Sequence, residues 1–151
     1  MELEFKKLHD DSIIPNKPKQ GDVGYDLYVH HVEENYCGEM KEIDENKIYK
    51  DSHYVIHTGV ACSLPEGFWG LIKPRSGMSF KYGLDTLAGV IDNNYRGEIC
   101  VIVNSSYNFV IDKGDRVAQM VLIPENVFDV KEVSELSETN RGDKKFGSSG
   151  R

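Results

Sequence analysis

Apolar residues recur along this chain either at every second position or in short unbroken runs, and both patterns belong to β-strands. Residues 2–6 alternate polar and apolar, and the turn formers Gly21, Asp22 and Gly24 feed a strand starting near Tyr25. Further strand-like runs fall at 54–62, 68–73, 107–111 and 116–123. The central stretch, 84–104, has apolar halves at 84–91 and 99–103 around the turn-forming 92–97, which predicts a hairpin with Asp92, Tyr95 and Arg96 at its tip. About ten short strands, with no long amphipathic helix and no repeat, predict an all-β jelly-roll or barrel. Residues 99–103 and 116–123 are almost continuously apolar. Strands buried on both faces are hard to house in a lone small sandwich, so an oligomer covering one face is expected. Gln119, inside the second of these runs, needs a hydrogen-bond partner.

Two stretches break the pattern. Residues 33–51 carry seven acids and few apolar side chains, as a solvated loop or edge hairpin would. His30 and His31 beside Glu33 and Glu34 lack supporting metal-ligand spacing, so solvated acidic surface is expected there, with His53 and His57 as surface residues of a strand. Residues 140–151 cannot build a core. They read as a flexible, locally basic tail, or as a lid in which Phe146 supplies a stacking surface and Arg141 a charge.

Composition narrows the functions. The length of 151 residues suits one domain, and 39% hydrophobic with 28% charged residues is globular composition. A net charge of −7 excludes a nucleic-acid-coating surface but allows a small anion held by a few local cations. Cys37, Cys62 and Cys100 have no metal-ligand spacing and read as reduced thiols. No run is long enough to cross a membrane. An intracellular protein, cytoplasmic or nuclear, is expected, with an organelle left open.

Candidate chemistry is sparse but ordered. Arg75-Ser76-Gly77 offers a guanidinium, a hydroxyl and an approachable amide, which together can hold an anion. Asp26 stands near the start of its strand, where an exposed carboxylate is the plain reading. Five stretches then stand in sequence: Gly24-Tyr25-Asp26-Leu27; Pro74-Arg75-Ser76-Gly77 with Lys81 and Gly83; Ala88-Gly89-Val90-Ile91-Asp92 with Tyr95-Arg96-Gly97; Gly114-Asp115-Arg116-Val117-Ala118-Gln119; and Arg141-Gly142 with Phe146-Gly147-Ser148. This series, spanning residues 21–150, resembles the five-motif signature of the homotrimeric dUTPases.

The resemblance implies an all-β jelly-roll subunit of the dUTPase-like β-clip kind, covering 1–139 with an acidic insertion near 33–51, and a C-terminal lid at 140–151. It implies a homotrimer with active sites shared among chains. The implied reaction is Mg²⁺-assisted hydrolysis of dUTP to dUMP and pyrophosphate, by water attack at the α-phosphorus, which keeps uracil out of DNA and supplies dUMP. In that frame Asp92 is the general base, and the Tyr95 ring packs on deoxyribose and excludes a 2′-hydroxyl. Backbone groups of Gly89, Val90 and Cys100, with Ile91 beside them, read uracil. Ser76, with Arg75 and the Gly77 amide, meets the phosphate chain. Asp26 and Gln119 hold waters of hydrated Mg²⁺, Gln119 also serving the substrate site. Arg141, Phe146, Gly147 and Ser148 close over the nucleotide from another subunit.

Four residues depart from the family's usual pattern: Lys145 for Gly, Ser149 for Thr, Asn94 for Asp and Val23 for Ala. None removes a group that the chemistry needs. The rival enzyme is a dCTP deaminase of the same fold, which the Asp92 to Gly97 string does not match. The rival of another class is a non-catalytic scaffold whose acidic loop docks an unknown protein partner.

Overall fold

Two β-sheets carry the chain in the computed structural model, which describes residues 1–36, 38–43, 47–140 and 142–143. In chain order the strands are β1 (Glu4–Lys7), β2 (Tyr25–Tyr28), β3 (His31–Tyr36), β4 (Glu39–Glu42), β5 (Lys47–Ile48), β6 (His53–Ser63), β7 (Phe68–Pro74), β8 (Asp85–Leu87), β9 (Val90–Ile91), β10 (Glu98–Asn104), β11 (Phe109–Val110) and β12 (Arg116–Pro124). The first sheet runs β4-β3-β6-β10-β8, with β1 also beside β6, and the second runs β2-β12-β7-β9. A short ribbon pairs β5 with β11. The acidic stretch is thus an edge hairpin, β3–β4, as one of its two expected forms.

The core lies between the sheets and follows the period-2 pattern. In β10 the buried residues are Ile99, Val101 and Val103, while Cys100 is only partly buried and Ile102 is 37% exposed. In β12, Val117, Ala118 and Met120 are buried, and Val121 to Ile123 are partly exposed. Within one chain β10 therefore buries one face, and β12 does so from Ala118 onward, past the register shift between Arg116 and Ala118. Their outer apolar positions are left for something else to cover.

Two local expectations are corrected. The central hairpin pairs only through 85–87 against 102–104; the next residues, Val90 and Ile91, cross to the second sheet and pair with β7. The crossing turns on Ala88 and Gly89, both in left-handed backbone at φ 58 and 102. A run of apolar residues reads the same whether it stays in one sheet or changes sheets. Residues 76–82, to which the strand pattern gives no element, form a helix, α1 (Ser76–Tyr82), closed by Gly83 at φ 59. None of its residues is fully buried, and only Met78 and Tyr82, one turn apart, pack against the core, a pattern too short to announce a helix.

The N-terminal segment is tied to the β11–β12 turn by Asp11, which pairs with Lys113 and, at 3.0 Å, with His30 Nε2. The Lys113 hydrogen bond, then that of His30, holds the Asp11 carboxyl down at about 2, against an ordinary 3.8. The depressed value means that the pair stabilises the fold above the ordinary value and stops doing so as pH falls through the lowered one. We expect Asp11→Asn to lower Tm slightly at neutral pH, the effect being small because the pair is exposed. The gap to the parent should close toward pH 2, and a gap that persists there would refute this account.

Candidate active site

Strand register sets the first half of the site. Asp26 of β2 lies opposite Gln119 of β12, and Gln119 lies opposite Lys73 of β7, one residue before Pro74 and the α1 entry. Arg75 Nε donates to Asp26 Oδ1 at 3.0 Å, and an Arg116 guanidinium nitrogen reaches Asp26 Oδ2 at 3.3 Å. Gln119 finds its partner in the Pro74 carbonyl, 3.2 Å from its amide nitrogen. Ser76 and Gly77 are exposed beside this network. Together Asp22, Val23, Gly24, Asp26, Arg75, Ser76, Gly77 and Gln119 line a cleft of about 450 Å³.

The plain reading of Asp26 is overturned: it is 4% exposed rather than a surface carboxylate. Arg116, which sequence reasoning gave no role, joins the site through Asp26. Only the β2–β12 register, invisible in the sequence, brings it there.

The second half sits where the chain changes sheets. Residues 87–92, with Tyr95, Glu98, Cys100 and Ile102, line a pocket of about 330 Å³. Its walls include the Gly89, Val90 and Cys100 backbone that the motif comparison assigned to base reading. Asn93 fixes the tip, its side-chain amide donating to the carbonyls of Pro65 at 2.8 Å and Phe68 at 2.9 Å. Arg96 folds back onto the Asn93 and Tyr95 carbonyls, and the Tyr95 hydroxyl donates to the Glu98 carbonyl at 3.0 Å. Asp92 is exposed and, among the described residues, its carboxylate has no partner. It also lines a neighbouring cleft with Trp69, Asn93, Asn94 and Glu125. Its oxygens are thus free to accept from water.

The structure brings Asp26, Arg75, Ser76, Gly77 and Gln119 together, and separately Gly89, Val90, Ile91, Asp92, Tyr95 and Cys100. The two clefts share no lining residue. Arg141, Phe146, Gly147 and Ser148 lie outside the described residues. One expectation fails here: His57 is not a surface residue, its side chain being 17% exposed between Glu33 and Glu98.

The Asp26 cleft suits a hydrated divalent cation. Each Asp26 oxygen already meets a guanidinium, so a hard cation would be met through its waters, the mode Mg²⁺ favours. A Cβ on Gly24 would come within 2.3 Å of Gln119 Oε1, so glycine there is what lets the amide oxygen stand in the cleft. We expect Gly24→Ala to displace Gln119 and lower turnover, with a drop in Tm as well because the added carbon would also lie 2.9 Å from Gln119 Cβ. Unchanged turnover would show that the amide is not needed.

A pocket next to an unpaired carboxylate, with a cleft elsewhere on the chain where two guanidiniums meet one buried carboxylate, fits an enzyme that acts on a small anionic substrate. The dUTPase family model matches residues 10–150. The deoxyuridine 5′-triphosphate nucleotidohydrolase of Paramecium bursaria Chlorella virus 1 is 39% identical over 150 residues, covering 98% of this chain and 97% of its own. That of Clostridium novyi is 36% identical, with 99% of each chain covered. Among solved structures, a Staphylococcus bacteriophage 80alpha dUTPase with dUpNHpp superimposes with a TM-score of 0.82 at 28% identity, again over 99% of each chain. The chain belongs to the dUTPase family, and it hydrolyses dUTP.

Proposed function

We propose that three copies of the chain share three active sites, and that Asp92 activates the water that attacks the α-phosphorus of dUTP. The bond from that phosphorus to the bridging oxygen breaks, the water proton passes to Asp92, and dUMP and pyrophosphate leave. The supporting observation is the separation of the two clefts, Asp92 with the backbone pocket in one and Arg75, Ser76 and Gln119 in the other. Each is half a site, and a neighbouring copy supplies the complement. Val127, Phe128, Val130 and Leu136 are at least 80% exposed in an extended segment without strands, which supports a C-terminal arm that lies on another subunit.

Uracil is read by peptide groups of Gly89, Val90 and Cys100, with Ile91 beside them. Their donors and acceptors are fixed, so cytosine would leave them unpaired. The Tyr95 ring stands against the sugar. Arg75, Ser76 and the Gly77 amide meet the charge that grows on the leaving pyrophosphate. Asp26 and Gln119 would hold the water shell of Mg²⁺, which when bound neutralises phosphate charge. Arg141 and Phe146, with Gly147 and Ser148, close the site from a third chain. The free thiols of Cys62 and Cys100 accord with an intracellular setting, where the reaction withholds dUTP from DNA and yields dUMP.

Mixing subunits tests the shared site. Asp92→Asn and Ser76→Ala chains, each nearly inactive alone, should recover about a quarter of parental activity when co-refolded at equal amounts, because random closed assemblies re-pair intact halves. No recovery would place both halves of each site in one chain. Truncation after Asn140 should leave a folded assembly with poor turnover, and unfolding would instead make the tail structural. Deleting residues 35–50 while retaining hydrolysis would fit the further proposal that the acidic hairpin serves a protein partner; loss of assembly would give it a structural role.

A further inference from the structure

The register of the first sheet places three metal-ligating side-chain types on one outer face. His57 of β6 pairs with both His31 of β3 and Cys100 of β10. Between Glu98 and Cys100 the β6–β10 ladder shifts register, and Gly59 takes φ 68 at this bulge. There the Glu98 side chain turns back, its Oε1 accepting the Gly59 amide proton at 2.7 Å and its Oε2 lying 2.9 Å from His57 Nδ1. Cys100 Sγ lies 3.6 Å from the same nitrogen.

From this convergence we infer that His57 Nδ1, Glu98 Oε2 and Cys100 Sγ form a binding site for a borderline-soft divalent cation of the zinc class, distinct from the Mg²⁺ site of the phosphate cleft. Tetrahedral zinc, with bonds of about 2.0–2.1 Å to nitrogen and oxygen and about 2.3 Å to sulfur, sets N···S at about 3.6 Å and N···O at about 3.3 Å. The nitrogen–sulfur edge already has that length. The nitrogen–oxygen edge needs to open by only about 0.4 Å. Three protein ligands leave a fourth position for water.

The surroundings match a metal site. His57 Nε2 lies 3.2 Å from Glu33 Oε2, the carboxylate–histidine arrangement that fixes a ligating ring and raises its basicity. The second oxygen of Glu98 is held by the Gly59 amide, so the carboxylate is oriented as well. Among the described residues neither Glu33 nor Glu98 has a lysine or arginine partner, leaving two carboxylates around one ring. His31 is the weaker ligand candidate. Its ring stacks on His57 with an interplanar angle of 9°, so the two rings cannot both aim lone pairs at one ion.

Cobalt(II) titration of the chelator-treated full-length protein tests this, because a thiolate ligand gives a charge-transfer band that an oxygen-ligated site does not. We expect the near-ultraviolet band and tetrahedral visible bands to saturate at one Co²⁺ per chain, and Zn²⁺ to bleach them. Cys100→Ser should abolish the charge-transfer band and His57→Gln should weaken binding at least tenfold, whereas Cys37→Ser and Cys62→Ala should keep it. Absence of the band from the parent, or its survival in a folded Cys100→Ser variant, would overturn the site. Cobalt at the phosphate cleft alone gives no thiolate band, so failure here and failure of the Mg²⁺ reading are distinguishable.

Discussion

Asp92→Asn is expected to keep dUTP affinity within about twofold and to lower turnover by about 10²- to 10⁴-fold, the range a positioned general base contributes. The substitution keeps the shape of the side chain and removes only its capacity to take a proton. No partner among the described residues would be stranded, because the carboxylate has none. The hairpin tip should stay in place, since Asn93 and Arg96 anchor it through backbone carbonyls. Single-turnover rates beside calorimetric binding of a non-hydrolysable imido analogue would separate the two effects. A large loss of affinity with the chemical step intact would contradict the assignment.

Gly89→Ala is expected to damage both stability and recognition. At φ 102 an alanine is strained by about 1–3 kcal/mol, a cost of the kind borne at sparsely populated backbone angles. The added Cβ would also lie 3.0 Å from the Ile72 carbonyl oxygen. That approach is close because the Ile72 amide donates to the Gly89 carbonyl at 2.8 Å, which fixes where the chain enters the second sheet. Shifting this peptide moves the backbone proposed to read the base, so KM for dUTP should rise at least about tenfold, and Tm should drop by several degrees. A variant that melts and turns over like the parent would show that the sheet crossing does not position the pocket. Ala88, already left-handed at φ 58, is the control: Ala88→Gly should stabilise slightly or do nothing.

The strands were legible because period-2 runs and turn residues report them directly. The motif residues were legible as a set in chain order. Distances between strands were not legible, and the misread residues all depend on them. Asp26 looked like an exposed strand residue because nothing local shows that Arg75 and Arg116 arrive from two other segments. His57 looked like surface because its neighbours Glu33 and Glu98 come from strands on either side of β6. The break at residues 88–89 hid inside an apolar run, since a change of sheet alters backbone angles and leaves hydrophobicity unchanged. Helix α1 packs only Met78 and Tyr82, one turn apart, against the core, and a single apolar pair in seven residues leaves too short a periodic mark to read.

Asp26 between two guanidiniums also bears on product release. Arg75 and Arg116 share one buried carboxylate and Asp22 lines the same cleft, so the resting cleft is close to charge-balanced. On the proposed reading a phosphate group of about −2 would meet a receptor already neutralised, whereas a triphosphate that brings its own dication would add charges of both signs and find a counterpart for each. Selection for the full-length substrate over its fragments would in this sense be a matter of ionic balance, with the Asp26 pairing ready to close the cleft once the proposed product leaves.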